Sequence, residues 1–136
     1  MTATLADTSV WVAYLRRGRE HAWGERVDSL LREGKLIICG PVVAELLAGT
    51  AERDRERLAE SLRGLDWAEL DRRAWIRAGS LAARLRAAGE TVPLTGVFIG
   101  SAALSADAEL LTADSDFERV ARQEPSLRLR LLSEPR

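Results

Sequence analysis

Two kinds of apolar pattern share this chain. Short, largely apolar runs predict strands at Thr4–Ala6, Leu36–Cys39 and Glu109–Thr112, with weaker ones at Leu65–Leu70 and Leu127–Leu132. Leu36-Ile37-Ile38-Cys39 has the uninterrupted character of a strand buried on both faces of a parallel sheet. Between these runs, apolar residues recur every three or four positions and predict helices. These fall at Val10–Leu15, Ala22–Arg32, from Gly40-Pro41 to near Gly49, over 51–63, at Arg72–Ala88, Val97–Ala106 and Ser115–Ala121. Trp23, Val27, Leu30 and Leu31 share one face of the second helix; Trp75, Ala78, Leu81, Ala82 and Leu85 form the inward stripe of the fifth. Pro41 suits a first helical turn, Gly34 and Gly89 suit helix ends, and Thr91–Thr95 reads as a loop.

Strands that alternate with helices predict an α/β fold, with a parallel sheet of four to five strands and helices on both faces. The 136 residues suit one domain spanning 1–136, and the sequence carries no repeat or low-complexity linker. An apolar fraction of 46% fits an ordinary globular core. No apolar run approaches the ~20 residues that a membrane span needs, so no membrane association is expected. No basic segment followed by an apolar stretch opens the chain, and the single cysteine, Cys39, excludes an internal disulfide. A cytoplasmic location is therefore expected.

Candidate chemistry lies just past the apolar runs. Asp7 follows the first strand, Asp114 and Asp116 follow the fourth, and Glu45 sits one turn into an otherwise apolar helix with Val42, Val43, Leu46 and Leu47. A parallel sheet gathers the carboxyl ends of its strands along one edge, so these acids can meet there. Such a cluster repels itself unless a hard cation neutralises it. Mg²⁺ or Mn²⁺ held by Asp7, Glu45, Asp114 and Asp116 would polarise a phosphoryl oxygen and stabilise a leaving oxygen. Asp7, Glu45 and Asp114 are the catalytic candidates; Thr8, Ser9 and Thr112 are placed to support them through hydrogen bonds. Each acid also has a plainer role. Asp7 can cap a helix, worth about 1 kcal/mol, Asp114 and Asp116 can cap the next with Phe117 packed inward, and Glu45 can be paired or reach solvent.

Net charge is −1, so the molecule as a whole does not attract nucleic acid strongly. All 20 basic residues except Lys35 are arginines, whose forked guanidinium suits phosphate. Arg16, Arg17 and Arg19, after the first helix, are candidates for phosphate contact, although arginine runs more often cover solvated faces. Trp11, Trp23, Trp67 and Trp75 occupy apolar positions and read as core or interface rather than stacking platforms. His21, the only histidine, falls at a helix start and reads as a surface residue.

The segments L-A-D-T-S-V-W-V, V-V-A-E-L-L-A-G, G-E-T-V-P-L-T-G-V-F-I-G-S-A-A-L and L-L-T-A-D-S-D-F, in this order and spacing, resemble PIN-domain ribonucleases. Within that family the resemblance is specifically to the toxin halves of VapBC-type toxin–antitoxin pairs. The resemblance implies a metal-dependent endoribonuclease that cuts RNA, pairs as a homodimer and is blocked by a small antitoxin. It makes Asp7 the first-strand metal ligand, Glu45 the second acid, Asp114 the acid after the fourth strand and Asp116 an auxiliary one. The family's third acid opens the helix after V-P-L-T, and here that position is Gly96. Asp107 and Glu109 lie too far along to replace it; Glu90, in the preceding loop, would have to swing in. Two functions are thus carried forward: a ribonuclease toxin impaired at Gly96, and an inactive PIN-domain binding module that holds antitoxin or RNA. Receiver and haloacid-dehalogenase-type domains fit less well. Lys35 is misplaced for the first, and Asp7-Thr8-Ser9 lacks the second acid of the other.

Overall fold

A computed structural model describes residues 2–20 and 22–132; His21 lies outside the described residues. In chain order the elements are β1 (Thr4–Ala6), α1 (Thr8–Arg17), a 3-10 turn (Gly18–Glu20), α2 (Gly24–Arg32), β2 (Leu36–Cys39), α3 (Gly40–Ala48) and α4 (Glu52–Arg63). They continue with β3 (Asp66–Ala68), α5 (Arg72–Ala87), α6 (Leu94–Ser105), β4 (Glu109–Thr112), α7 (Asp116–Gln123) and β5 (Leu129–Leu131). The five strands form one parallel sheet in the order β3-β2-β1-β4-β5. β1 is central: Leu5 pairs with Ile37 of β2 on one side and Leu110 of β4 on the other.

That order decides where helices go. Crossovers between parallel strands are right-handed, so the direction in which the chain moves across the sheet selects the face that each helix covers. From β1 the chain steps to β2 and β3, then returns past β1 to β4 and β5. Helices α1–α4 accompany the first direction and α5–α7 the second. Their packing agrees: α1 meets α2 and α3, and α3 meets α4, while α5, α6 and α7 all meet one another. The reversal falls between β1 and β4, the place in an open α/β sheet where a crevice forms outside the strand ends.

The core forms where these layers meet. Leu5, Ile38, Leu110 and Leu111 are fully buried, as are Val10, Val42 and Val120 from helices of both layers. Among the described residues, no helix is long and apolar enough to cross a membrane.

Three expectations shift. α1 starts at Thr8, two residues before the expected Val10, so Thr8 and Ser9 belong to its first turn. α6 starts at Leu94, inside the stretch expected to be a loop, which makes Gly96 its third residue. Pro93 explains the start, since it lacks an N–H and its fixed φ leads naturally into a helix. Trp75 is not part of the buried stripe of α5: that stripe is Ala74, Ala78, Leu81 and Leu85, and Trp75 is 47% exposed. Small Ala74 carries the helical period and lets α5 approach its neighbours, which a pattern weighted toward large residues passes over.

An acidic site at the sheet edge

Asp7 leaves the carboxyl end of β1 in extended conformation and caps α1: its Oδ1 accepts from the Val10 N–H at 3.3 Å. The helix-capping role is therefore real, and it does not exhaust the side chain. Oδ1 also accepts from Ser9 Oγ at 2.6 Å, and Oδ2 accepts from Thr112 Oγ1 at 2.6 Å. Each hydroxyl has a second partner in the loop after β4. Thr112 Oγ1 accepts from the Asp114 N–H at 2.9 Å, and Ser9 Oγ from the Ala113 N–H at 3.4 Å. The loop after β1 and the loop after β4 are thus stitched together through one carboxylate.

Asp7 is only 4% exposed. Burial pushes its carboxyl above the ordinary 3.8, against the pull of hydrogen bonds from Ser9, Thr112 and the Val10 N–H; the charge of Asp114 adds to the rise. An ion of opposite sign beside Asp7 would favour its charged form and so oppose that rise.

Asp114 and Asp116 open the last crossover. Asp114 Oδ1 accepts from the Asp116 N–H at 2.9 Å, a local turn that fixes the direction of α7, and Phe117 is buried beneath it. Glu45, on α3, is exposed, and its Oε1 accepts from Thr8 Oγ1 at 2.6 Å. Glu45 is therefore the paired case among its alternatives, held against the first turn of α1.

Asp7, Glu45, Asp114 and Asp116 all line one cavity of about 360 Å³, together with Thr8, Ser9 and Gly96. Thr112 lies beneath, fully buried. The far wall is apolar: Val92, Pro93, Ile99 and Phe117. Phe117 was expected to pack inward; Val92, Pro93 and Ile99 were not singled out in the sequence, although V-P-L-T immediately precedes Gly96. A Cβ built on Gly96 would stand 3.3 Å from Val92 Cγ1 and 4.0 Å from Phe117 Cζ, so this wall closes in on the missing side chain.

Other candidates fall outside. Glu90 does not line the cavity; its carboxylate is held by Arg119 at 3.4 Å and Arg122 at 3.2 Å, both on α7. Arg119 also reaches Asp116 at 3.4 Å. Arg16 and Arg17 are exposed in the last turn of α1, roughly 12 Å along the helix from Thr8, and do not line the cavity.

Oxygen donors of this kind suit a hard divalent cation. Among the described residues no three acidic, histidine or cysteine side chains stand close enough together to hold a metal ion. A site of this shape would give an ion no more than two direct carboxylates and leave the rest to water, which is how Mg²⁺ is usually bound. Asp7 and Asp114, whose charges already sense each other, are the fitting pair.

The PIN domain model matches residues 4–123. The chain belongs to the PIN domain family. In sequence, no curated protein matches it significantly. Among solved structures, a chain of VapBC2 from Rickettsia felis, bound to a fragment of its promoter DNA, superposes with a TM-score of 0.78 at 20% identity, covering 97% of this chain and 100% of that one. VapBC-1 from nontypeable Haemophilus influenzae gives 0.75 at 24%, covering 96% and 98%. VapBC-5 from Mycobacterium tuberculosis, a member of the VapBC family of toxin–antitoxin systems, gives 0.65 at 22%, covering 98% and 100%. At these identities the likeness concerns the fold.

Proposed function

We propose that this PIN domain is a VapC-type toxin: a metal-dependent endoribonuclease that hydrolyses RNA phosphodiester bonds in the cytoplasm, restrained by a small cognate antitoxin. The observation that carries this reading is the meeting of Asp7, Glu45, Asp114 and Asp116 in one cavity at the β1–β4 switch point. The full-length likeness to chains of VapBC complexes supports the toxin assignment and the antitoxin partner. We further propose that two copies associate.

In this reading Asp7 and Asp114 hold a Mg²⁺ or Mn²⁺ ion. When bound, the ion would supply Lewis acidity toward the phosphate and lower the pKa of a coordinated water. Asp7 presents a carboxylate fixed by Ser9 and Thr112, so little reorganisation is needed at the reacting centre. Glu45, steadied by Thr8, faces the same space and orients the attacking water. Asp116 adds a further carboxylate at the rim, shared with Arg119. The apolar wall of Val92, Pro93, Ile99 and Phe117 excludes bulk water and fits a base or sugar face.

A second reading rests on Gly96. Without an acid there, the chain reads as a PIN-domain binding module that holds antitoxin or RNA without cutting it.

Cleavage of a labelled RNA in Mn²⁺ separates the two, using this chain, Gly96→Asp and Asp7→Asn. Cleavage by the chain as it stands, abolished in Asp7→Asn, establishes a nuclease with the acids present. Cleavage by Gly96→Asp alone identifies a nuclease scaffold disabled at one position. No cleavage by either leaves the binding module.

A further inference from the structure

Beside the acidic cavity lies a second hollow, of about 290 Å³, walled by Leu85, Arg86, Glu90, Thr91, Val92 and Leu94. Val92 lines both spaces, so the two adjoin. We propose that Glu90 is an internal competitor of the substrate: it occupies Arg119 and Arg122 until a phosphate flanking the scissile one on the RNA strand takes its place. This regulation of the acidic site rests on the nuclease reading above for the identity of the strand.

The first support is geometry. Glu90 Oε2 lies 3.4 Å from Arg119 Nε and Glu90 Oε1 lies 3.2 Å from Arg122 Nη2. One carboxylate thus engages two guanidiniums that stand one turn apart on α7. Arg119 also donates from Nη1 to the Thr91 carbonyl at 3.1 Å and stands 3.4 Å from Asp116 Oδ1. Asp116 lines the acidic cavity, so Arg119 touches the rim of the site while it is bound to Glu90. Among the described residues, no other arginine pairs with an acid of that cavity. The Glu90 backbone is anchored, since its N–H donates to the Leu85 carbonyl at 2.9 Å, and release requires only rotation of the side chain.

The second support is charge. The Arg119 and Arg122 side chains are 42% and 57% exposed and that of Glu90 24%, and ion pairs this open to water contribute little to stability. A phosphate offers more charged oxygens to the two guanidinium forks than a carboxylate does. Arg86, in the last turn of α5, lines the same hollow, is exposed and makes no ion pair among the described residues. Three arginines therefore gather about one glutamate. Their surplus positive charge lies where a polyanion reaching the four acids needs compensation for their repulsion. Leu94, 50% exposed, adds an apolar patch on which a sugar or base can rest.

A competitor and its captives must respond with opposite signs. Fluorescence anisotropy of a labelled single-stranded RNA of about 20 nucleotides, in metal-free buffer at about 50 and 200 mM salt, reads binding without cleavage. Glu90→Gln is expected to tighten binding about threefold or more, and Arg119→Gln and Arg122→Gln to weaken it by a similar factor with a shallower salt dependence. Glu118→Gln makes the same change of charge at an exposed neighbour of Arg119 and should stay within about twofold of the parent. Weaker or unchanged binding by Glu90→Gln would make the contact a structural strut and overturn the proposal. So would equal gains in Glu90→Gln and Glu118→Gln, which reduce the effect to overall charge, or no detectable binding by Glu90→Gln. Cleavage in Mn²⁺, measured alongside, tells this failure from that of the nuclease reading. RNA cut by Arg119→Gln and Arg122→Gln with the parent's KM keeps the nuclease and discards the competitor. Binding changes of opposite sign without any cleavage keep the competitor and leave it acting on a binding module.

Discussion

Thr112 Oγ1 stands 2.6 Å from Asp7 Oδ2 although the two residues are 105 positions apart in the chain. The same oxygen accepts the Asp114 N–H at 2.9 Å, so one hydroxyl on β4 orients a carboxylate at the end of β1 and a loop that carries a second carboxylate. The acidic cavity is built around this bond.

Replacing Thr112 by valine keeps the shape and removes the hydroxyl. Asp7 Oδ2 loses its donor in a buried setting, and the Asp114 N–H loses its acceptor in a part-buried one. A loss of about 2 kcal/mol is expected in urea unfolding, from the cost of leaving buried polar groups unpaired. Thr112→Ser retains both bonds and sheds one methyl group, so roughly 1 kcal/mol or less is expected.

Asp7 makes stability depend on pH in a definite direction. Burial raises its folded-state pKa above the unfolded 3.8, so the folded chain holds a proton more tightly than the unfolded one. Below 3.8 both states are protonated and the contribution is fully present; it is lost as pH rises through the folded value. The parent should therefore lose stability relative to Asp7→Asn as pH is raised from 3 toward 7. Denaturant midpoints of the two proteins across that range check this. A gap that widens in the parent's favour would contradict the account. Added Mn²⁺ should restore the parent at neutral pH and leave Asp7→Asn unmoved.

Gly96→Asp should fold. The backbone there is not in the left-handed region, the nearest obstacle is the Val92 side chain at 3.3 Å, and the first turn of α6 holds no acidic residue. A carboxylate at this end of a helix is worth about 0.3–1 kcal/mol, enough to offset a small displacement of Val92. Unchanged or raised thermal stability is expected, together with tighter Mn²⁺ binding by calorimetry. If Gly96→Asp is destabilised, Val92→Ala in the same chain should relieve it; failure of that relief would mean that the crowding lies elsewhere.

Cys39 should be inert while the chain is folded. It is fully buried, and burial pushes its thiol up to about 11, so the reactive thiolate is scarce at pH 8. A thiol reagent in excess should label one equivalent only when denaturant is present. Rapid labelling of the native protein would show that the end of β2 opens locally.

Much of this molecule is determined by local pattern. β2 falls where the apolar run does, because a strand buried on both faces has no polar positions to blur its limits. The acids were legible because Asp7 directly follows β1 and Asp114 lies two residues past β4. Family membership follows from the order of four short motifs.

Tertiary structure decided the rest. That Asp7 meets Thr112 depends on β4 pairing with β1 rather than with β3, a long-range choice with no local signature. The apolar wall of the cavity comes from α6 and α7, and the fate of Glu90 depends on arginines from α7 that approach only when the crossover closes. Trp75 is the clearest case. Its helical period allows it to face inward or outward, and small Ala74 takes the inward place because α5 and α6 pack closely. Periodicity fixes which residues share a stripe; only packing against a neighbour determines which stripe is buried.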